Sequence, residues 1–149
     1  IAVTDDFSIR SAIGYLDAEI TKVDEGVIGI GKGDTPALTP KWTIMIAPSY
    51  FVDLENGATI AMNANYSYRS EIQGQSVYNA SETIDSRELV GFNVSYQASA
   101  GDWEVTLYGE NVFNEIYDQG RLQQSGFVGV MRSNDRSEFG LKFRKDFEL

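Results

Sequence analysis

The sequence contains no histidine and no cysteine. It therefore cannot form a Ser-His-Asp triad, a thiol nucleophile, a disulfide or a zinc site with the usual nitrogen and sulfur ligands. An enzyme built from this chain would depend on carboxylates, lysine or tyrosine. We predict no catalytic residue, no metal site and no cofactor. The enzymatic alternative is a carboxylate-based hydrolase that would use Glu104 and Glu110.

Basic residues are also scarce, with 12 Lys and Arg against 22 Asp and Glu and a formal net charge of −10. Proteins that bind nucleic acid present a basic surface to the phosphates. The charge balance therefore argues against nucleic acid as a partner.

Long hydrophobic runs are absent as well, because no stretch approaches the roughly 18 to 20 consecutive apolar residues of a membrane helix. The chain has 3 Pro but 14 Gly, 8 Phe and 8 Tyr, and it has no long run of helix-forming residues at helical spacing. This composition favours a single all-β domain. A membrane location stays open, since a strand of a membrane β-barrel faces lipid only at every second residue.

What the sequence does contain is period-two alternation of apolar and polar residues, which predicts strands. Glycine, proline and asparagine divide the alternation into segments. Six strands are predicted near Phe7–Thr21, Lys41–Leu54, Ala58–Ile72, Arg87–Ser99, Asp102–Phe113 and Arg136–Phe147. We expect an antiparallel up-and-down meander, in which each strand pairs with the next along the chain.

The connections between these strands alternate between long and short. Long polar loops are predicted at about 24–40, 73–86 and 114–135, and short turns at Asn56-Gly57 and Ala100-Gly101. All long loops then lie at one end of the sheet and both short turns at the other. A soluble sandwich has no reason for this asymmetry, whereas a bacterial transmembrane barrel has short periplasmic turns and longer extracellular loops.

The alternation also predicts two different faces. An apolar face, represented by Ile60, Met62, Ala64 and Tyr66, is expected to meet lipid, with aromatic residues near both ends of the strands. The opposite face is expected to line a polar lumen, and its predicted members are Asn63, Asn65, Asn93, Glu104, Tyr108, Glu110, Lys142 and Arg144. Lys145 is an exception in phase with the apolar face, and it could snorkel at the membrane boundary.

Two motifs near the end of the chain resemble a known family. Asn111-Val112-Phe113-Asn114-Glu115-Ile116-Tyr117 resembles the Asn-Leu-Phe-Asn/Asp-x-x-Tyr stretch near the end of TonB-dependent outer-membrane receptors. The segment from Gly140 to Phe147 is similar to the terminal strand by which such barrels are recognised for assembly. In that comparison the signal is carried by Gly140, Leu141, Phe143 and Phe147. The asparagines would also suit an ordinary strand end followed by a turn.

The resemblance implies that residues 1–149 are the C-terminal portion of a transmembrane barrel of 22 strands. In this family an N-terminal plug fills the barrel, and the TonB protein drives uptake of iron–siderophore complexes, vitamin B12 or glycans. The plug, the earlier strands and the segment that engages TonB would lie outside this sequence, which opens on Ile1 without an initiator Met or a signal peptide. The expected location is the outer membrane of a Gram-negative bacterium. Expected partners are outer-membrane lipid, the rest of the receptor, TonB and a small-molecule substrate such as a siderophore.

The loops are the expected place for an external ligand, because loops on a rigid scaffold commonly carry binding residues. The candidates lie in the third long loop and are Tyr117, Arg121, Gln123, Gln124, Phe127 and Arg132. A different class of protein stays open as well. It is a soluble β-sandwich or small barrel that binds a ligand or a protein, in which the apolar face would be an interior core.

Overall fold

The computed structural model describes residues 2–74, 82–124, 127–133 and 135–147, and the protein is all-β there. Its strands are β1 Phe7–Tyr15, β2 Trp42–Asp53, β3 Thr59–Arg69, β4 Ile72–Gln73, β5 Thr83–Ile84, β6 Arg87–Gln97, β7 Trp103–Glu110, β8 Asp118–Gln124, β9 Phe127–Arg132 and β10 Glu138–Lys145. Six of them form one antiparallel sheet in the order β1-β2-β3-β6-β7-β10. The predicted six-stranded up-and-down sheet is therefore confirmed. In the described ranges no helix has the length and apolar character needed to cross a bilayer.

All six strands end one to six residues before the predicted residue, and two of these ends have a local cause. β1 ends at Tyr15 rather than Thr21, and the backbone N–H of Leu16 makes the last ladder bond, 3.0 Å from the Lys41 oxygen. The apolar residues beyond it occur in the opposite phase, so no continuous strand can keep them on one face. β7 ends at Glu110 rather than Phe113, because Asn111 adopts a φ of 45°, which takes the backbone out of the extended conformation.

The second and third long loops contain strands that the alternation does not predict. β4 pairs with β5 in the second loop, and β8 pairs with β9 in the third. The prediction of six strands does not include these four short ones. β4 and β5 have two residues each, and the sequence of β8, DQGRLQQ, is polar in both phases. Neither segment therefore has a period-two signal.

The strand register confirms that the apolar and polar residues occupy opposite faces. Directly paired residues share a face of the sheet. Met62 of β3 pairs with Val94 of β6, which pairs with Leu107 of β7, which pairs with Leu141 of β10. We call the face that carries this row the apolar face and the opposite one the polar face. All eight residues predicted for the lumen lie on the polar face, where Asn63 Nδ2 donates to Asn93 Oδ1 at 3.0 Å.

Neither face of the six-stranded sheet is covered by another layer in the described part of the chain. The buried apolar side chains are Ala58, Ile72 and Ile84, and only Ala58 borders the large sheet, at a turn. On the apolar face, by contrast, Ile13 is 67% exposed and Leu141 75% exposed. The described residues thus form no second sheet of the kind that a β-sandwich packs against such a face.

The sheet has a turn end and a loop end. At the turn end, residues 54–58 join β2 to β3 and residues 98–102 join β6 to β7, with Gly57 at a φ of 79° and Gly101 at 71°. The loop end carries the three long connections. The chain before β1 also turns back at the turn end, where Ala2 forms a bridge with Ser8 on the free edge of β1.

Lys145, the one predicted charge in phase with the apolar residues, lies at the turn end. Its Nζ contacts the carboxylate of Asp102 in the turn between β6 and β7. This hydrogen bond lowers the pKa of the Asp102 carboxyl, against a smaller opposing effect of desolvation. The ammonium group is therefore satisfied by a turn residue at the end of the strand.

Candidate functional site

Two clefts open on the polar face at the loop end of the sheet. The first, which we call the acidic cleft, has a volume of about 630 Å³ between β6, β7 and β10. Its polar lining includes Glu110, Asn111, Tyr117, Asp135, Arg136 and Glu138. The second, the arginine cleft, has a volume of about 390 Å³ and opens over β1, β2, β3 and β6. Its polar lining is Thr43, Ser67, Arg69 and Arg87.

Asn111 shapes the acidic cleft. Its Nδ2 donates to the backbone oxygens of Glu115 at 2.9 Å and Asp135 at 2.6 Å, and its Oδ1 accepts from the Glu115 N–H at 2.9 Å. Asn114, with a φ of 53°, accepts a 3.2 Å bond at Oδ1 from the N–H of Ser137. Both asparagines of the family-like motif therefore end β7 and tie its loop to the start of β10.

The carboxylates of the acidic cleft include a like-charge pair. Glu110 is the direct cross-strand partner of Glu138. Glu138 Oε1 accepts a 2.8 Å hydrogen bond from the Tyr108 hydroxyl, whereas the Glu110 side chain makes no hydrogen bond within the described ranges. The described residues contain no group of three or more acidic side chains placed to ligate a metal ion. The cleft is thus a polar recess with excess negative charge.

Tyr117 links the two clefts. The Arg87 guanidinium lies over its ring, with the Cζ atom 4.8 Å from the centroid, and its hydroxyl donates to Asp135 Oδ2 at 3.2 Å. Arg87 lines the arginine cleft, while Tyr117 and Asp135 line the acidic one. One aromatic side chain therefore separates a cationic region from an anionic region.

The β8–β9 hairpin rises beside the acidic cleft and is held at its base by Asp118. Arg121 donates to Asp118 Oδ2 from Nε at 2.9 Å and from Nη2 at 2.7 Å, and Arg132 Nε donates to Oδ1 at 3.0 Å. The hydrogen bonds from Arg121 lower the pKa of the Asp118 carboxyl by more than desolvation raises it, and the bond from Arg132 lowers it further. The Asp118 side chain is 8% exposed.

The structure does not bring the predicted ligand residues together. Arg121 and Arg132 share one face of the hairpin and both bind Asp118, while Phe127 lies on the other face and is 63% exposed. The backbones of Gln123 and Gln124 pair with Val128 and Phe127, but their side chains lie outside the described part of the structure. Among the four candidates whose side chains are described, Tyr117 is the one that lines a cleft on the large sheet.

The residues proposed for a hydrolase are far apart. Glu104 pairs with Arg144 near the turn end of β7, whereas Glu110 is the last residue of the same strand. At about 3.3 Å per residue their Cα atoms are about 20 Å apart. Two carboxylates that act together on a glycosidic bond are about 5 to 9.5 Å apart. This pair cannot act on one bond.

The residues predicted as an assembly signal occupy the outer strand β10. Gly140 lies under the Tyr108 ring, where an added Cβ would come within 2.6 Å of the hydroxyl oxygen. Leu141 and Phe143 are exposed on the apolar face, and Phe147 is exposed beyond the strand. β10 has a free edge within the described sheet, so its backbone groups remain available for a further strand.

Sequence reasoning missed Arg69, Arg87 and Asp118 as organising residues. Arg69 and Arg87 stand in the polar phase of their strands, but only the register shows that they are direct partners. Asp118 has the signal of an acidic residue three positions before an arginine, and this is common in loops without such a contact.

No protein-family model matches this chain, and neither a curated protein nor a solved structure matches it significantly.

Proposed function

We propose that this chain forms part of the wall of a transmembrane β-barrel in the outer membrane of a Gram-negative bacterium. The observation that carries the proposal is the uncovered apolar face of the six-stranded sheet, on which Ile13, Leu141 and Phe143 are each at least 66% exposed. An exposed apolar surface of this extent needs a partner. Lipid fits it, because the strands are paired and the opposite face is polar.

Strand length and aromatic residues support a bilayer as that partner. The six strands of the sheet have 8 to 12 residues, and a membrane-spanning strand needs about 9 to 11. Aromatic pairs lie near both ends of the sheet. Tyr15 and Trp42 meet at the loop end with ring centroids 4.5 Å apart, and Tyr96 and Trp103 meet at the turn end at 5.3 Å. Tyrosine and tryptophan favour both membrane interfaces.

The register is staggered in the way that a barrel requires. Phe7, the first residue of β1, pairs with Tyr50, and the row continues through Met62, Val94 and Leu107 to Leu141 in the middle of β10. The row therefore meets β1 at its first residue and meets the other five strands three or four residues inside the turn end, so the offset lies between β1 and β2. Strands in a closed barrel tilt against its axis and produce this shear.

Within such a barrel we assign the chain to the C-terminal part of a TonB-dependent receptor with 22 strands. The support is the resemblance of the Asn111–Tyr117 and Gly140–Phe147 segments, together with the grouping of long connections at one end. The polar face would line the lumen and meet the plug, and the long connections would face the medium. The transported substrate would be a scarce nutrient such as an iron–siderophore complex, and TonB would act through the N-terminal part of the receptor.

A pair of arginine substitutions tests the membrane assignment. Val94 lies on the apolar face and Ser95 is its neighbour on the polar face. If the apolar face meets lipid, Val94→Arg lowers the free energy of unfolding by about 2 to 4 kcal/mol, whereas Ser95→Arg lowers it by less than about 1 kcal/mol. The measurement is a urea titration of the intact protein folded into phosphatidylcholine vesicles. Equal effects of the two substitutions would contradict the proposal.

A further inference from the structure

Two arginines stand directly opposite each other on the polar face. Arg69, the last residue of β3, is the Cα partner of Arg87, the first residue of β6. Like charges in this position destabilise a sheet. The arrangement is unusual in a chain with 22 acidic and 12 basic residues, where carboxylates are plentiful. Its presence at the loop end calls for a physical reason.

The chain does not neutralise this pair in its described part. Arg69 Nη2 donates to the backbone oxygen of Asp85 at 2.9 Å, and its Nε is shielded from water without a hydrogen-bond partner. Arg87 lies over the Tyr117 ring. Neither arginine forms an ion pair within the described ranges, and no carboxylate lines the arginine cleft. The two positive charges are therefore left for an acceptor from outside.

The space in front of the pair is kept open by small side chains. Ala12 and Gly14 of β1 and Ser67 of β3 line the arginine cleft. A Cβ added to Gly14 would come within 2.5 Å of Thr43 Oγ1, so a larger residue would displace that hydroxyl. Thr43 and Ser67 add hydroxyl donors beside the guanidinium groups. The cleft thus combines room, two cations and neutral donors.

We propose that Arg69 and Arg87 bind the carboxylate or phosphate group of a small anionic solute in the arginine cleft. A guanidinium presents a planar fork of N–H donors that matches a carboxylate or a phosphate at two oxygens. Such an anion stabilises both arginines at once, because it offsets the repulsion between their like charges. The volume of about 390 Å³ suits a solute of modest size.

The site extends the transport proposal, and its biological role depends on that proposal. The cleft lies on the proposed lumen face beside the connections assigned to the outside. An anionic solute entering from the medium would reach it before passing along the barrel. The substrate class would accordingly be small organic anions, including metal complexes that carry carboxylate groups.

Calorimetric titration of the intact protein in detergent tests the site, with citrate and inorganic phosphate as separate probes. We expect both anions to bind, which indicates shared oxyanion chemistry, and Arg69→Gln and Arg87→Gln each to weaken citrate binding by about tenfold or more. Arg87→Lys keeps the charge but loses the fork, so it should fall between the wild type and Arg87→Gln. Binding should weaken at high salt.

Arg10→Gln is the matched control, because Arg10 lies on the polar face of β1 outside the cleft and its loss is the same change of charge. It should alter citrate affinity by less than about twofold. Circular dichroism and the urea midpoint confirm that each variant is folded. The proposal is overturned if neither anion binds the wild type, if the cleft variants bind as the wild type does, or if Arg10→Gln weakens binding equally.

The outcomes separate this site from the membrane assignment. Citrate binding that depends on Arg69 and Arg87 would establish the site even if Val94→Arg and Ser95→Arg had equal effects on folding. The reverse pattern, a large effect of Val94→Arg with no anion binding, would overturn the site and leave the barrel proposal in place.

Discussion

The arginine cleft and the acidic cleft lie side by side on one face, and each contains a pair of like charges directly opposite across two strands. The arginine pair, Arg69 with Arg87, belongs to strands whose register is fixed along their whole length. The acidic pair, Glu110 with Glu138, lies where β7 gives way to a loop. Loop residues form nearly half of the wall of the acidic cleft, whereas the walls of the arginine cleft are almost entirely strand residues.

The arginine cleft and the acidic cleft are therefore held in shape by different contacts. A cleft between paired strands needs no side-chain support, because ladder hydrogen bonds fix its lining residues. A cleft with loop walls depends on specific contacts, here the three hydrogen bonds of Asn111 and the three of Asp118. Substitutions should therefore reshape the acidic cleft easily and leave the arginine cleft intact.

The largest expected effect comes from Asn111→Ala. The substitution removes three hydrogen bonds worth about 1 kcal/mol each. It also places alanine at a φ of 45°, a left-handed conformation that alanine rarely adopts. We expect the free energy of unfolding to fall by about 3 kcal/mol. Hydrogen exchange should show faster exposure of the Ser133 amide, which is bonded to the Tyr117 oxygen, and no change at β2 or β3.

Two variants control for this effect. Asn111→Gly tolerates the positive φ and should recover about 1 kcal/mol of the loss. Asn63→Ala removes an amide from the middle of the polar face with its one hydrogen bond to Asn93, and should cost about 1 kcal/mol or less. An Asn111→Ala cost no larger than that of Asn63→Ala would show that the loop walls do not rely on this residue.

Asp118→Asn should have the next largest effect. The carboxylate accepts charge-assisted bonds from Arg121 and Arg132, and the amide would turn a donor toward one of these guanidinium groups. We expect a loss of about 2 kcal/mol at neutral pH, concentrated in the β8–β9 hairpin. Citrate affinity at the arginine cleft should not change, which would sharpen the distinction between the two regions.

The contribution of Asp118 also depends on pH with a definite sign. The arginines lower the folded pKa of this carboxyl. Its stabilising effect is therefore complete above the unfolded value of about 3.9 and is lost as the pH falls through the folded pKa. Urea titrations from neutral pH into acid should show wild type and Asp118→Asn converging. A gap that stays constant down to pH values near 2 would refute the role given to this carboxylate.

The smallest expected effect is a gain in stability. Glu110→Gln removes one of two like charges directly opposite each other and breaks no hydrogen bond in the described part of the chain. It should stabilise the protein by about 0.5 kcal/mol at low salt, and the gain should shrink at high salt. Glu138→Gln relieves the same repulsion but weakens the 2.8 Å bond from Tyr108, so it should bring no net gain. If both variants gain equally, the bond to Tyr108 contributes nothing measurable.

The sequence is sufficient to predict the large sheet, because its strands carry apolar residues on one face and polar residues on the other. Segments such as Ile60 to Tyr66 alternate so regularly that only one phase places all apolar residues on one face. The Asn56-Gly57 turn then sets the β2–β3 register. β8 and β9 could not be predicted in this way, since β8 is polar in both phases and a contact across the hairpin, Asp118 with Arg132, holds its base.

The candidate sites are harder to predict, because their residues are brought together by strand register and not by the local sequence. Tyr117 ends a recognisable motif and lines a cleft, and its role as a ligand residue stays a prediction. Arg69 and Arg87 are separated in the chain by residues 70–86, which include β4 and β5, and nothing in the local sequence of either arginine points to the other. Their partnership results from a register that depends on many residues at once. A residue pattern along the chain therefore does not predict that Arg69 and Arg87 are paired.

In the large sheet, each strand pairs with the next long strand along the chain. This order determines how well the protein tolerates insertions in the connections between strands. Closing a longer loop costs little, because each doubling of loop length adds only about 0.6 kcal/mol of entropy. Insertions in the connections after β1, β3 and β7 would leave every strand pairing in place. The loop end can thus acquire new segments over evolutionary time while the sheet beneath keeps its register, so recognition and architecture can diverge at different rates.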